Sequence, residues 1–460
     1  MKKITLLLLS IFIFGCSSSN DDGAKVPLGK IAKQFEKNAN LLIETAISDT
    51  DGFERLAEMC DTFGPRFSGT DNLENAIDWI LDEMKKDGLD NVHGENVMIP
   101  KWTRGNEYAQ MISPWKKELH MLSLGGTIAT GPKGVIGEVI VVNNFDELKE
   151  RAKEAKGKIV LFNVPFDGYG KTVQYRSNGA VEASKAGAIA SLIRSVGPYS
   201  MNTPHTGNSR YEDGVKKIPH AAITVEDAAM IGRMVSRGQT VKVKLYTEGK
   251  MEADSPSRNV VAEIKGSQYP DEVIVLGGHI DSWDVGQGAM DDGGGCVAAW
   301  QAVKLIKDLG LRPKRTVRVV MWTNEENGLR GGNAYRDAHI DELEDHVLAM
   351  ESDGGVFKPK GFGFTGSDES LSILQDIGTL LSSIESGNIK KGGGGADIGP
   401  IMREGVPGMG LNVDGSKYFW YHHTNADTWD KLDRDEFNQC VATMAVMAYV
   451  VADMDMKLPR

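Results

Sequence analysis

The sequence predicts an α/β fold built on a doubly wound, largely parallel sheet. Two observations carry this expectation. Beyond residue 250, short apolar runs suited to strands alternate with amphipathic stretches of helical length, the order that builds βαβ units. Acidic or imidazole side chains also stand just past the ends of those runs. An open α/β sheet gathers such positions, however distant in sequence, into one crevice.

Taken in order, Val273–Leu276 leads into His279-Ile280-Asp281, and Val317–Trp322 leads into Thr323-Asn324-Glu325-Glu326. Val347–Met350 leads into Ser352-Asp353-Gly354. Between the first two runs lies Met290-Asp291-Asp292-Gly293, entering a helix expected over Gly294–Leu309 and stopped by Gly310. A helix near Leu371–Ser383, a strand near Gly408–Val413 and a closing helix over Asp435–Val451 complete the alternation. Upstream, apolar spacing predicts helices over Lys30–Ala46 and Ser68–Leu89. In the second of these, Asp71 and Glu74 hold capping-box positions and Gly88 ends the helix.

From about Gly125 the character changes. Val135–Val142, Lys158–Phe162, Ile189–Ile193, Ala221–Val225 and Val241–Tyr246 are β-type runs set among Gly-rich turns, with one helix around Ala180–Ala186. None carries an acidic strand-end motif. We expect an inserted domain over 123–249, of ordinary domain size. It interrupts a unit made of 21–122 and 250–460.

The first 20 residues read as a leader. Lys2-Lys3 precedes an apolar run from Ile4 to Phe14, too short to span a membrane and suited to a signal peptide. Gly15-Cys16 followed by a polar stretch resembles a bacterial lipobox, although Phe14 departs from the usual small residue. The expectation is an exported protein of the periplasm or cell envelope, lipid-anchored through Cys16 at the outer membrane. Cys60, Cys296 and Cys440 are too few and too scattered for a disulfide framework or cysteine zinc cluster, and are expected as buried thiols. A net charge of -12 without any basic run argues against nucleic acid as a partner.

Taken singly, each acidic motif has a plain explanation. Asp-Asp-Gly is most often a turn or a cap, and Glu-Glu is normally a solvated face. Together, at strand ends of one α/β region, they supply what a pair of divalent metals needs: imidazoles and carboxylates from fixed positions. Asp291 can reach two metals with its two oxygens. Adjacent side chains of Glu325-Glu326 point in different directions, so one can bind metal while the other takes a proton. Asp281, two residues after His279, and Asp427, four after His423, are placed to orient the imidazoles. His422 and His423 are not separable on chemistry alone. His93, His120, His339 and His346 lack such context and are expected to be structural or surface residues. This points to a metal-dependent hydrolase.

At these residues the chain resembles the M28 family of di-zinc exopeptidases. The resemblance runs through Gly277–Gly295, Thr323–Gly328, Glu351–Gly354 and His422–Thr428, and upstream through Gly64–Thr70. Within the insert, Thr203–Gly207 and Ile218–Ala228 also match, so the insert resembles a protease-associated domain. The resemblance implies a sheet of the zinc exopeptidase type and two Zn2+ per chain. One ion would be held by His279 and Asp353, the other by Glu326 and His423, with Asp291 bridging and Glu325 as general base. It selects His423 over His422 and implies a cis peptide between Asp291 and Asp292. It implies hydrolysis of terminal bonds in dipeptides or short peptides, and similarity to homodimeric relatives. Asp397 is a candidate for holding a substrate ammonium, and Tyr418 or Tyr421 for donating to the oxyanion. Two other readings are a glutaminyl-cyclase-like transferase with a single zinc and a metal-free, receptor-like binding protein.

Overall fold

A computed structural model describes residues 27–460. The leader expected at 1–20, with Cys16, lies outside the described residues.

Two eight-stranded sheets organise the chain. At the centre of the first, strands Arg315–Trp322, Tyr269–His279, His346–Glu351 and Gly408–Val413 lie side by side and parallel. These strands are apolar on both faces because both faces are covered. Ile274, Leu276, Val317, Val319, Leu348 and Met350 point into the main core, against helices Gly294–Asp308 and Arg434–Asp453, with helix Lys30–Ile47 packed on those two. Val273, Val275, Val320, Trp322 and Ala349 point the other way, onto Tyr335, Ile398 and Ile401. Burying a side chain of this size is worth about 1.5–3 kcal/mol, and a one-residue slip in any central strand would exchange the two sets between the faces and mismatch both cores.

The sheet is mixed rather than largely parallel. Asp90–Ile99 and Ser255–Ile264 pair antiparallel on one flank, and Pro359–Thr365 runs antiparallel to Gly408–Val413 on the other. The sequence marks strands by apolarity, and apolarity says nothing of direction.

Helix ends follow local chemistry. The helix predicted at Ser68–Leu89 spans Asp71–Lys86. Its cap is Thr70, whose hydroxyl accepts the Leu73 N–H, in place of Asp71. An unpredicted helix, Asp51–Phe63, lies between the two expected upstream helices. The helix expected near Leu371–Ser383 begins at Asp368 and tightens to a 3₁₀ turn over Thr379–Ile384. Cys60, Cys296 and Cys440 are free and buried, as expected.

The residues expected as an insert lie in the second sheet. Val135–Val142, Ile159–Phe162, Ala190–Arg194 and His220–Ile223 are parallel neighbours. Helix Val225–Ser236 covers one face through Ala228, Ile231 and Met234. Helix Tyr169–Lys185 covers the other through Ala180 and Ala183. Glu107–Ser113, Lys117–Leu119 and Met121–Ser123 also belong to this sheet. The boundary expected at residue 122 therefore falls inside the insert, because those strands lack the Gly-rich turns that mark the later ones.

The chain enters and leaves the insert through one small ladder, Trp102–Thr103 against Lys250–Met251. Phe67, Trp102, Leu122, Trp283 and Val285 form a separate apolar cluster between the two units. Beside it the Arg104 guanidinium grips the Asp284 carboxylate and donates to the Ser123 carbonyl. The insert is thus packed against the loop that follows His279.

Candidate metal centre

Parallel neighbours end at the same level, and four loops meet there. Strand Tyr269–His279 delivers His279 itself, strand Arg315–Trp322 leads to Glu325 and Glu326, and strand His346–Glu351 leads to Asp353. The segment after Gly408–Val413 supplies His422 and His423. Asp291 enters from the turn before helix Gly294–Asp308, and the Asp291–Asp292 peptide bond is cis.

The two oxygens of Asp291 face two separate donor sets. Oδ1 lies 3.2 Å from His279 Nε2, and that nitrogen lies 3.4 Å from Asp353 Oδ1. Oδ2 lies 3.4 Å from His423 Nε2, which is 3.0 Å from Glu326 Oε2. These spacings fit two divalent cations joined by one carboxylate. Asp291 Oδ2 and Glu326 Oε1 are buried without a hydrogen-bond partner, a costly arrangement that a cation would resolve.

The electrostatics agree. Burial, together with the charge of Asp291, holds Glu326 well above the usual carboxylate range. Burial and the nearby carboxylates of Asp353, Asp281 and Asp291 push Glu325 up to about 8. The imidazoles divide: although burial opposes it, Asp291 and Asp353 hold His279 well above its ordinary value, whereas burial and Arg176 hold His423 well below. A proton on His279 answers the same negative field that a cation would answer.

Two further groupings share this space, Asp291-His422-His423 and His279-Asp292-Asp353. The Asp292 carboxylate is already committed, accepting the N–H of His279 at 3.2 Å and of Gly295 at 3.1 Å. His422 stacks on His423 at 3.5 Å and reaches only Asp291, at 3.6 Å. His423 and Asp353 are therefore the better donors.

The profile of Peptidase family M28 matches residues 259–448. Carboxypeptidase Q of Mus musculus is 49% identical over 429 residues, covering 93% of this chain and 91% of that protein. Carboxypeptidase Q of Homo sapiens is 50% identical over 408 residues, covering 89% and 86%. The chain belongs to peptidase family M28. A crystal structure of a Peptidase M28 precursor from Shewanella amazonensis SB2B is similar with a TM-score of 0.89 and 35% identity, over 93% of this chain and 99% of that one. The zinc aminopeptidase of Bacillus subtilis, at 18% identity, 88% and 95% coverage and a TM-score of 0.67, shares the fold.

Within this M28 site, two orienting roles differ from expectation. His279 Nδ1 meets the backbone carbonyl of Asp281, at 2.9 Å. The Asp281 carboxylate instead accepts the N–H groups of Glu325 at 2.9 Å and Glu326 at 3.3 Å. Asp427 does not touch His423. It accepts the N–H groups of Ala289, Met290 and Asp291, at 3.1, 2.7 and 3.2 Å. His423 Nδ1 faces the Thr206 carbonyl of the insert, at 3.4 Å. In both cases turn N–H groups lie nearer the carboxylate than the imidazole does.

A cavity of ≈ 500 Å³ opens over the site, lined by Glu325, Glu326, Asp353, Tyr418 and His423 among others. Tyr418 and Asp291 stand on the wall of the same cavity. Asp397 does not line this cavity. It is 1% exposed, and burial beside Glu351 holds it well above the carboxylate range. Tyr421 does not line it either, packing against the core instead.

His339 and His346 are structural, one bonded to Glu95 and the other to Tyr335. Arg66, in Gly64–Thr70, explains that motif. Its guanidinium donates to the carbonyls of Ile280, Gln287 and Gly288, at 2.9, 2.7 and 2.8 Å, and so fixes the loop between His279 and Asp291. The insert contributes Arg176, Asn208 and Arg210 to the cavity, and no sequence motif announced them.

Proposed function

We propose that this chain is a zinc-dependent exopeptidase that hydrolyses the terminal peptide bond of dipeptides or short peptides. The observation that supports it best is the pair of donor sets on either side of Asp291, with the Glu325 side chain on the wall of the same cavity. His279, Asp291 and Asp353 would hold one Zn2+, and Asp291, Glu326 and His423 the other. When bound, such a pair polarises a carbonyl oxygen and lowers the pKa of water to about 7.

Glu325 serves as general base. With its pKa near 8 before cations bind, its carboxylate is readily protonated, so it can take a proton from the attacking water and pass it to the leaving amine. The Asp281 carboxylate fixes the turn from which Glu325 projects. Asp292, through the His279 and Gly295 N–H groups, and Asp427, through the Asp291 N–H, hold the donors in place. Tyr418 is the candidate donor to the developing oxyanion.

The relatives named Carboxypeptidase Q support an exopeptidase, and a two-cation donor set disfavours both the single-zinc transferase and the metal-free receptor. The insert we read as protease-associated, on its motifs and its separate sheet. Export and lipid attachment at Cys16 rest on residues 1–20. The described residues contain no helix long and apolar enough to cross a membrane. Homodimer formation rests on the family resemblance alone.

A dipeptide panel with free and blocked termini tests the proposal on zinc-loaded and chelated protein. Turnover restored only by divalent metal supports it. Absence of turnover on every peptide at full metal loading overturns it.

A further inference from the structure

Four of the five proposed metal donors are placed by their own unit. His279 ends a central strand, and its Nδ1 meets the Asp281 carbonyl. The N–H groups of Glu326 and Asp291 are held by Asp281 and Asp427, and Asp353 follows strand His346–Glu351. His423 is placed differently. It stands two residues beyond helix Tyr418–Tyr421 with a φ of 60°, in the left-handed region that a residue with a Cβ rarely enters. Its backbone carbonyl accepts the Thr206 N–H at 2.9 Å, and its Nδ1 faces the Thr206 carbonyl at 3.4 Å. The backbone of one residue from the second-sheet unit thus meets both the main chain and the ring of this donor.

Thr206 is itself fixed. It is fully buried, its hydroxyl donates to the Ser123 carbonyl at 2.8 Å, and the same oxygen accepts from Arg104 Nη2 at 3.2 Å. Arg104 places all five of its N–H groups. Nε and Nη2 take the two oxygens of Asp284, at 2.7 and 2.5 Å, and Nη2 also reaches Thr206. Nη1 donates to the Ser123 carbonyl at 2.5 Å and to Glu107 at 3.4 Å. Asp284 belongs to the loop after His279, whereas Ser123, Glu107 and Thr206 belong to the second-sheet unit. Arg104 therefore joins the two units at the point from which Thr206 reaches His423. A guanidinium that grips a carboxylate with two parallel bonds fixes direction as well as distance, which a lysine ammonium does not.

We propose that Arg104 is a positioning residue for one of the two zinc sites. By fixing Thr206 against the first-sheet unit, it completes the support of His423. Tight binding by Glu326 and His423 then requires the two units to be docked, while binding by His279 and Asp353 does not. The inference rests on the two-cation reading of the site and deepens it: the second sheet holds one of the sites from outside. Outer partners of this kind set metal affinity, because a donor already aimed loses less freedom when the metal arrives.

The test reads zinc affinity rather than turnover, by competition with a chromophoric chelator on the full chain. Wild type is expected to bind two zinc ions. Arg104→Gln should weaken binding of one by about 10- to 100-fold, the range for a lost outer partner, and leave the other unchanged, with Arg104→Lys between wild type and Arg104→Gln. In His423→Ala one zinc remains, and adding Arg104→Gln should not weaken that ion further, since the two changes act on the same site. Should Arg104→Gln fail to fold, Thr206→Val removes the hydroxyl while keeping the backbone and every charge, and carries the same prediction at about 10-fold. Unchanged affinities in a folded variant overturn the assignment. So does equal weakening of both ions, or a further loss in the double variant, which is what general loosening of the fold would give. A wild type that binds fewer than two zinc ions overturns the two-cation reading as well.

Discussion

The Asp281 carboxylate accepts the backbone N–H of Glu325 at 2.9 Å and, through its other oxygen, that of Glu326 at 3.3 Å. One buried acid therefore sets the positions of the proposed base and of a metal donor together. Replacing Asp281 by Ala should loosen both. We expect kcat to fall about 10- to 100-fold, as for other groups that orient metal donors, with a smaller change in KM. Steady-state kinetics at full zinc loading checks this, and unchanged kcat would show that the turn holds itself.

Glu325→Gln keeps the shape of the side chain and removes its basicity. Metal content should stay at the wild-type value while kcat drops by about 10²- to 10⁴-fold, the range for a lost general base. Atomic emission spectroscopy and a dipeptide assay on one preparation would decide. Metal loss equal to activity loss would make Glu325 a donor rather than a base.

Asp427 satisfies three buried N–H groups of the turn that carries Asp291. Its replacement by Ala leaves those donors stranded, and we expect a loss of about 2–4 kcal/mol in stability, with weaker zinc binding. Urea denaturation of the metal-free proteins isolates the first effect. A loss below about 1 kcal/mol would mean that water substitutes freely in this turn.

The raised carboxyl groups predict how metal and pH interact. In the metal-free protein Glu325 titrates near 8, against an ordinary 4.5, because of burial and its acidic neighbours. A raised folded-state value stabilises the protein below about 4.5, and that contribution is lost as pH climbs through 8. Cations compete with the same protons, so zinc should bind more tightly as pH rises. The gap in melting temperature between zinc-loaded and chelated protein should widen from pH 6 to pH 8. A gap that narrows over this range would contradict the electrostatic picture.

Much of this site was legible in the sequence because metal donors must sit at fixed points, and the ends of parallel strands are fixed points. His279, Glu326 and Asp353 could be read from apolar runs that stop just before them. The flanking strands were not legible, since Ser255–Ile264 mixes Ser, Arg, Asn and Glu with its apolar residues, and apolarity says nothing of direction. Nor were the roles of Asp281 and Asp427, because sequence nearness to an imidazole does not determine which N–H group a carboxylate meets first. Arg176 was hidden for a further reason. It lies within a helix, in Gln174-Tyr175-Arg176-Ser177, and tertiary packing, including Tyr169 on Phe419 and the cluster of Trp102, Leu122 and Trp283, brings that helix to the cleft.

Two cations sharing the Asp291 carboxylate are the core of the proposed site, and the zinc content of the purified, zinc-equilibrated protein tests that directly. Two zinc ions per chain are predicted, both lost in Asp291→Ala. A wild-type content of one or none, or an Asp291→Ala protein that retains both ions, would contradict it.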